Sequence, residues 1–203
     1  MSIPPSLGVI LAGGLARRMG GGDKGLHRVG GERVLDRLLQ RMAPQVAGLI
    51  INANGDPARF ADLGVPVVAD SLPDRPGPLA GVIAGLDWAV EHRPGVEWII
   101  TAPWDCPFVP MDLVARLHAG RGAADLACAA SGGRAHPVVG LWAVSMREAL
   151  RQAVSEGLRK IDAFTGRYRV AEVEWPVGAI DPFFNVNTVD DLQEANRLAA
   201  KAG

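Results

Sequence analysis

A single-domain, Rossmann-like α/β/α fold in three layers around a mostly parallel sheet is what three features of this sequence predict. Apolar runs of strand length alternate with segments of helical period four times in the first 120 residues, an order that gives a parallel sheet with helices on both faces. The first run, Leu7 to Leu11, passes straight into a loop in which six of the thirteen residues from Gly13 to Gly25 are glycine. The strand-like runs then end in Gly13-Gly14, Asn52, Asp70 and Asp105. All four are groups able to hold a ligand, at the edge where such sheets bind one.

Each element follows from its pattern. Val34, Leu35, Leu38, Leu39 and Met42 repeat at helical spacing, with Pro44 as the stop. Val46 to Ile51 is a strand ending in the turn cluster Asn52-Ala53-Asn54-Gly55-Asp56-Pro57, after which Ala58 to Leu63 reads as a short helix and Val65 to Ala69 as a strand. The segment Asp70 to Gly81, with three prolines and two glycines, reads as a rigid, bent loop. Pro78 suits the first turn of a helix whose inner face is Leu79, Val82, Ile83, Leu86 and Val90. A strand from Val96 to Ala102 runs into Pro103-Trp104-Asp105-Cys106-Pro107, and a helix with Leu113, Val114 and Leu117 inward follows Pro110.

The second half is less regular. Strands are expected at Asp125 to Ala130 and Pro137 to Val144, joined by the hairpin-like turn Ser131-Gly132-Gly133-Arg134, which leads into Ala135-His136-Pro137. Ser145-x-x-Glu148 has the form of a capping box opening a helix. Arg159 to Phe164 reads as a short basic helix or turn. Val170 to Trp175 alternates, with Glu172 and Glu174 on one face. Thr188-x-x-Asp191 is placed to cap a last helix ending near Lys201. Residues 1–120 form the half that carries the glycine loop and 121–203 a second half, with no linker between them.

Bulk composition narrows the function. With 48% hydrophobic and 21% charged residues the chain is an ordinary globular protein. A net charge of −1 excludes a protein built to coat nucleic acid. Cys106 and Cys128 match no zinc spacing, and a reducing cytoplasm is the expected setting. Met1 to Leu7 lacks the basic and apolar regions of a secretory leader, and no apolar run is long enough to span a bilayer.

The glycine loop admits two readings, a long surface loop or a phosphate cradle of inward N–H groups. It lies directly behind a buried strand and carries Arg17, Arg18 and Lys24 against the single Asp23, which favours the cradle. Neither G-x-x-x-x-G-K-[ST] nor G-x-G-x-x-G is present. Asp105, fenced by prolines at a strand end beside such a loop, is a natural Mg²⁺ ligand, because magnesium takes carboxylate and phosphate oxygens together; the competing reading is a turn aspartate. Lys24 suits neutralisation of developing phosphate charge. Asp70 reads as a ligand or as a loop-opening residue. Asn185 and Asn187 flank Val186 and would share one side of an extended segment, gripping a polar substrate or capping the loop. Arg159 and Lys160 are a second anion site or a solvated face. His136, with no nucleophile signature beside it, reads as a structural or substrate-contact residue.

Leu11-Ala12-Gly13-Gly14-x-x-x-Arg18-Met19-Gly20 followed by Asp23-Lys24 resembles the signature of the sugar-nucleotidyltransferase-like fold, and specifically that of the molybdenum cofactor guanylyltransferases. The resemblance covers nearly the whole chain. Asp70-Ser71 with Gly77-Pro78-Leu79-Ala80-Gly81, Pro103-x-Asp105-x-Pro107-Phe108, His136-Pro137 and Phe184-Asn185-Val186-Asn187-Thr188 are similar to its further motifs. The Gly13-Gly14 form of the loop, where cytidylyltransferases acting on the same pterin typically carry Ala-Gly, favours the guanylyl enzyme. The three-glycine run Gly20-Gly21-Gly22 departs from the family pattern.

The resemblance implies a nucleotidyltransferase that uses Mg²⁺ to move GMP from GTP to the phosphate of molybdopterin. Leu11, Ala12, Gly13, Gly14, Arg18, Lys24, Asn52, Asp70 and Asp105 would contact the nucleotide, with Lys24 and Asp105 catalytic and Asp105 on the metal. Asn185 and Asn187, with Arg159 and Lys160, would lie toward the pterin. Partners implied beyond the substrates are a molybdenum insertion enzyme and apo-molybdoenzymes or their chaperones, with no nucleic acid and no membrane. The alternatives are a cytidylyltransferase or sugar-phosphate nucleotidyltransferase, and a GTP-binding cofactor carrier without turnover.

Overall fold

The computed structural model describes residues 3–13, 24–72 and 77–202. Its sheet strands are β1 (Ser6–Leu11), β4 (Gly48–Asn52), β5 (Val67–Val68), β6 (Trp98–Pro103), β7 (Leu126–Ser131), β8 (Arg134–Ala143) and β9 (Val170–Trp175), and a separate small hairpin is formed by β2 (Arg28–Val29) and β3 (Glu32–Arg33). The α-helices are α1 (Val34–Met42), α2 (Pro78–His92), α3 (Leu113–Arg121), α4 (Arg147–Ser155), α5 (Ile161–Thr165) and α6 (Val189–Ala202). No helix among the described residues is long and apolar enough to cross a membrane.

The seven strands run in the order β5-β4-β1-β6-β8-β7-β9. β5, β4, β1 and β6 are mutually parallel, so their carboxyl ends share one edge. β8 enters antiparallel between β6 and β7, and β9 is parallel to β7. The ends of β7 and β9 and the start of β8 therefore lie at that same edge. The strand–helix alternation of residues 1–120 predicts the parallel part; the antiparallel strand follows from the tight turn at Gly132 and Gly133, both at positive φ.

Helices bury apolar stripes against both faces. Leu35, Leu38 and Met42 of α1 and Leu113, Val114 and Leu117 of α3 enter one core layer. Leu79, Val82, Ile83 and Leu86 of α2, Leu150 and Val154 of α4 and Phe164 of α5 enter the other. Each such side chain withdraws about 1.5–3 kcal/mol worth of apolar surface from water. A smaller third cluster, Val29, Val34, Phe108, Val186 and Ala195, fastens α6 to the β2–β3 hairpin and α1.

Local departures from the sequence pattern have physical reasons. Val90 is 46% exposed, because Ala89, three residues after Leu86, takes the inward place. Ser145 does not cap α4: a 3₁₀ turn from Val144 to Met146 precedes the helix, which has no side-chain cap, and Glu148 pairs with Arg147 at 2.9 Å instead. Residues 57–63 form a 3₁₀ helix, opened by Asp56 accepting from the Ala58 amide at 2.9 Å. Thr188 and Asp191 do cap α6, the Asp191 amide donating to Thr188 Oγ1 at 3.1 Å and the Thr188 amide to Asp191 Oδ2 at 2.8 Å. The β2–β3 hairpin has only two residues per strand, too short for an alternation to reveal it.

Candidate active site at the sheet edge

The parallel ladder continues beyond the strands and sets the floor of the site. The Ala12 amide donates to Asn52 O at 2.9 Å, the Ala53 amide to Val68 O at 3.0 Å and the Trp104 amide to Leu11 O at 3.2 Å. Leu11, Ala12, Gly13, Asn52 and Asp105 are thereby brought to one shelf by backbone register alone. Asn52 and Asp105 are both buried, at 4% and 7% exposure. Buried polar groups of this kind need partners, and each has them.

Asn52 Nδ2 donates to Val68 O at 3.2 Å and to Asp70 Oδ1 at 2.9 Å. Asn54 completes the arrangement: its Nδ2 donates to Asp70 Oδ2 at 2.7 Å while its Oδ1 accepts from the Asp70 amide at 3.0 Å. Asp70 is thus clamped by two asparagines at the end of β4. Asn54 is a partner of Asp70 that the sequence hides inside a turn cluster; an asparagine two residues after a strand-end asparagine is its signal.

α2 starts against this shelf. A Cβ on Gly81 would lie 2.3 Å from Asn52 Oδ1 and 2.6 Å from Leu11 Cδ2, so glycine is what lets the first turn of the helix reach the strand ends. Gly77 precedes it at φ 82, ψ −152, a conformation for which only glycine is suited. The positive end of a fifteen-residue helix therefore meets the edge where an anion would sit.

Gly14, Arg18 and, with them, Arg17 and Asp23 lie outside the described residues. The Lys24 backbone opens a 3₁₀ turn, Lys24–Leu26; its side chain lies outside the description. Gly25 packs so closely on Trp104 that a Cβ there would lie 2.7 Å from Trp104 Cε3. The chain at Lys24 therefore returns beside the residue that precedes Asp105.

The second half of the chain reaches Asp105 through the 181–188 loop. Asn185 Nδ2 donates to Asp105 Oδ1 at 3.1 Å and the Val186 amide to Asp105 O at 2.9 Å. The two asparagines do not act as a pair on a strand: the segment is irregular, and the Asn187 amide joins the α6 cap by donating to Asp191 Oδ2 at 2.9 Å. Arg159 donates from Nη1 to Val154 O at 3.0 Å, closing the C-terminus of α4, and Lys160 is exposed at the start of α5. These contacts do not join Arg159 or Lys160 to Asp105 or Asn185.

Burial, reinforced by the carboxylates of Asp105 and Asp181, pushes Cys106 well above the ordinary thiol range, and burial raises Cys128 to about 11. Both cysteines are free and buried. Burial, with help from Arg134 and against Asp181 and Glu174, lowers the pKa of His136.

Among the described residues no group of three or more histidine, cysteine or acidic side chains could hold a metal ion. What the edge does offer is Asp105, a carboxylate oriented by Asn185, as a hard oxygen donor. That donor set fits magnesium, which binds through one or two carboxylates and completes its shell with water and phosphate oxygens.

Residues 8–171 match the MobA-like NTP transferase domain. A protein from Nitrobacter hamburgensis named molybdenum cofactor guanylyltransferase is 58% identical over 206 aligned positions, covering 100% of this chain and 99% of that one. In structure the chain resembles molybdopterin-guanine dinucleotide biosynthesis protein A from Archaeoglobus fulgidus, with a TM-score of 0.71 at 23% identity over 96% of this chain and 99% of that one. It also resembles a homologue of the Mycobacterium tuberculosis protein Rv0371c from Mycobacterium sp. strain JC1, with a TM-score of 0.76 at 20% identity over 98% of each.

Proposed function

This chain belongs to the MobA-like NTP transferase family, and from that premise we propose that it is a molybdenum cofactor guanylyltransferase: it transfers GMP from GTP to the phosphate of molybdopterin and releases pyrophosphate. The observation that carries the reading to this chain's own residues is the Asn185–Asp105 hydrogen bond at 3.1 Å. It ties the acceptor-side loop to the carboxylate at the end of the nucleotide-side strands.

The nucleotide lies across residues 11–13 and Asn52, with Asp70 on one flank and its phosphates toward Gly14, Arg18 and Lys24. The acceptor lies toward Asn185 and Asn187, with Arg159 and Lys160 farther out. On this division residues 1–120 serve mainly the nucleotide and 121–203 mainly the acceptor. An oxygen of the molybdopterin phosphate attacks the α-phosphorus of GTP, the new P–O bond forming as the bond to the β-phosphate bridging oxygen breaks. The electron pair leaves with pyrophosphate. Because the nucleophile is already an ionised phosphate, no side chain need remove a proton, and positioning with charge neutralisation supplies the rate.

Lys24 contributes a fixed positive charge on the triphosphate side. Asp105 would hold Mg²⁺, which when bound supplies charge neutralisation at the phosphates and the leaving group. Asn185 keeps the Asp105 carboxylate in one orientation. The setting that goes with this reading is the cytoplasm, in keeping with two free buried thiols. A molybdenum insertion enzyme and apo-molybdoenzymes or their chaperones would be the partners there.

Pyrophosphate release with Mg²⁺ and molybdopterin, compared for GTP, CTP and UTP, tests the reading. Release with GTP alone is expected. Release with CTP instead would overturn the guanylyl assignment, and tight GTP binding without any release would make the protein a carrier.

A further inference from the structure

Ser131, at the end of β7, stands between two residues distant from one another in sequence. Its Oγ is 2.8 Å from His136 Nε2 and 2.8 Å from Asp181 Oδ1. These are the residue types of a hydrolytic triad in the wrong order. A carboxylate can only accept, so the Ser131 proton goes to Asp181. Ser131 Oγ must then accept from His136, and Nε2 carries the hydrogen. With its proton directed away from the imidazole, Ser131 is not an activated nucleophile. The chain runs one way, from His136 through Ser131 to Asp181.

The fold builds this contact deliberately. The β7–β8 ladder pairs Ala129 with His136 and then jumps, pairing Cys128 with Gly140. Pro137 has no N–H for the ladder, and it falls at that break. Buried Thr101 of β6 secures the irregular stretch, donating from Oγ1 to Val138 O at 2.8 Å and accepting from the Trp142 indole at 3.0 Å. On the turn side of that break the pairing is regular, Ala129 opposite His136 and Ser131 opposite Arg134, so strand alternation puts His136 and Ser131 on the same face of the hairpin.

Asp181 Oδ1 also accepts from the Phe183 amide at 2.9 Å. Phe183 is buried against His136, with ring centroids 5.1 Å apart, and against Trp175 at 5.4 Å. Its carbonyl lies 3.9 Å from Cys106 Sγ, next to Asp105. Two residues on, Asn185 reaches Asp105.

We infer that His136 is a positioning residue for the transfer: through Ser131 it fixes Asp181, and so sets the 181–185 loop that delivers Asn185 to Asp105. The catalytic consequence rests on the guanylyltransferase reading; the mechanical link does not. His136→Gln keeps an N–H donor close to the place of Nε2, whereas His136→Ala and Ser131→Ala break the chain.

Amide hydrogen exchange over residues 181–188 of the free protein, together with kcat and the KM for GTP, tests this. Both breaking variants are expected to speed exchange there about tenfold and lower kcat about tenfold, as loss of one buried hydrogen bond would. The KM for GTP stays put, and His136→Gln returns both quantities close to wild type. If Ser131→Ala loosens the whole fold, the two His136 variants carry the comparison. Unchanged exchange in His136→Ala, or Gln and Ala variants that behave alike, would overturn the inference. Faster exchange in the breaking variants of a protein whose wild type never turns over GTP would uphold the link and sink the functional reading instead.

Discussion

At the β5-β4-β1-β6 end of the sheet, residues reach the site because strand register puts them there: each strand stops and the next residue or two faces the edge. At the β8-β7-β9 end they reach it through side chains, with Ser131, His136 and Asp181 steering a loop that has no ladder of its own. In the first half the strand ends are placed by backbone hydrogen bonds that any sequence able to form the sheet would make, and Asp70 adds side-chain ties, to Asn52 and Asn54. The other depends on individual residues. Substitutions on the nucleotide side should therefore act mainly through ligand contact or gross clash, and those on the acceptor side through loop geometry.

The sharpest break in that contrast comes at Asp105, where the halves meet. Asp105→Asn keeps an oxygen for the Asn185 amide but loses the charge. We expect turnover to fall about a thousandfold, on the order of 4 kcal/mol of transition-state stabilisation, with an unchanged thermal midpoint. Near-normal turnover would remove Asp105 from the mechanism.

Next comes Gly81→Ala, which drives a methyl group into Asn52 Oδ1 and Leu11. Overpacking of this kind costs about 1–3 kcal/mol, read as a lower denaturation midpoint, and the KM for GTP should rise with it. An unperturbed variant would mean that α2 does not press on the shelf.

Asn54→Ala should act more gently, since Asp70 keeps its bond from Asn52. Loss of the Asn54 bonds costs about 1–2 kcal/mol, and we expect a severalfold rise in the KM for GTP with kcat nearly constant. Arg159→Ala sharpens the acceptor side: a rise of a few fold in the KM for molybdopterin, without change for GTP, would give Arg159 a ligand role beyond closing α4. A lowered thermal midpoint alone would leave it as a helix cap.

The smallest effect is a pH dependence of stability. Burial lowers the pKa of both His136 and His118, so the unfolded chain binds protons that the folded chain resists. Stability is then full above the ordinary histidine pKa, about 6.5, and declines as the pH falls from there toward the folded-state values. Thermal midpoints measured between pH 7.5 and about 5 should fall, and His118→Gln should flatten the slope.

The same contrast explains what the sequence made legible. Asn52, Asp70 and Asp105 stand directly after apolar runs, and a run of period two or of continuous apolar residues announces its own end. The core positions Leu35, Leu38, Leu79, Val82 and Leu113 were equally open to reading, because burial selects them at fixed spacing. Asn54, Ser131 and Asp181 were not. Their partners lie 16, 5 and 50 residues away along the chain, and no local periodicity encodes a hydrogen bond between side chains that far apart. The hairpin-like turn at Ser131-Gly132-Gly133-Arg134 announced that β8 returns antiparallel to β7, but the place of β8 against β6 was not legible, because no local turn joins those two strands.

The tie between α6 and the β2–β3 hairpin has a consequence for synthesis. The Gly30 amide donates to Asn196 Oδ1 at 3.0 Å and Asn196 Nδ2 to Arg28 O at 3.2 Å, across 166 and 168 residues of chain. Closing a loop that long is among the slowest events a domain of this size undertakes. On the ribosome, β1, β4, β5 and β6 emerge early and can pair as soon as they clear the exit tunnel. The hairpin that follows the glycine loop waits for α6. A growing chain therefore has the β5-β4-β1-β6 shelf available well before the hairpin beside it is fastened.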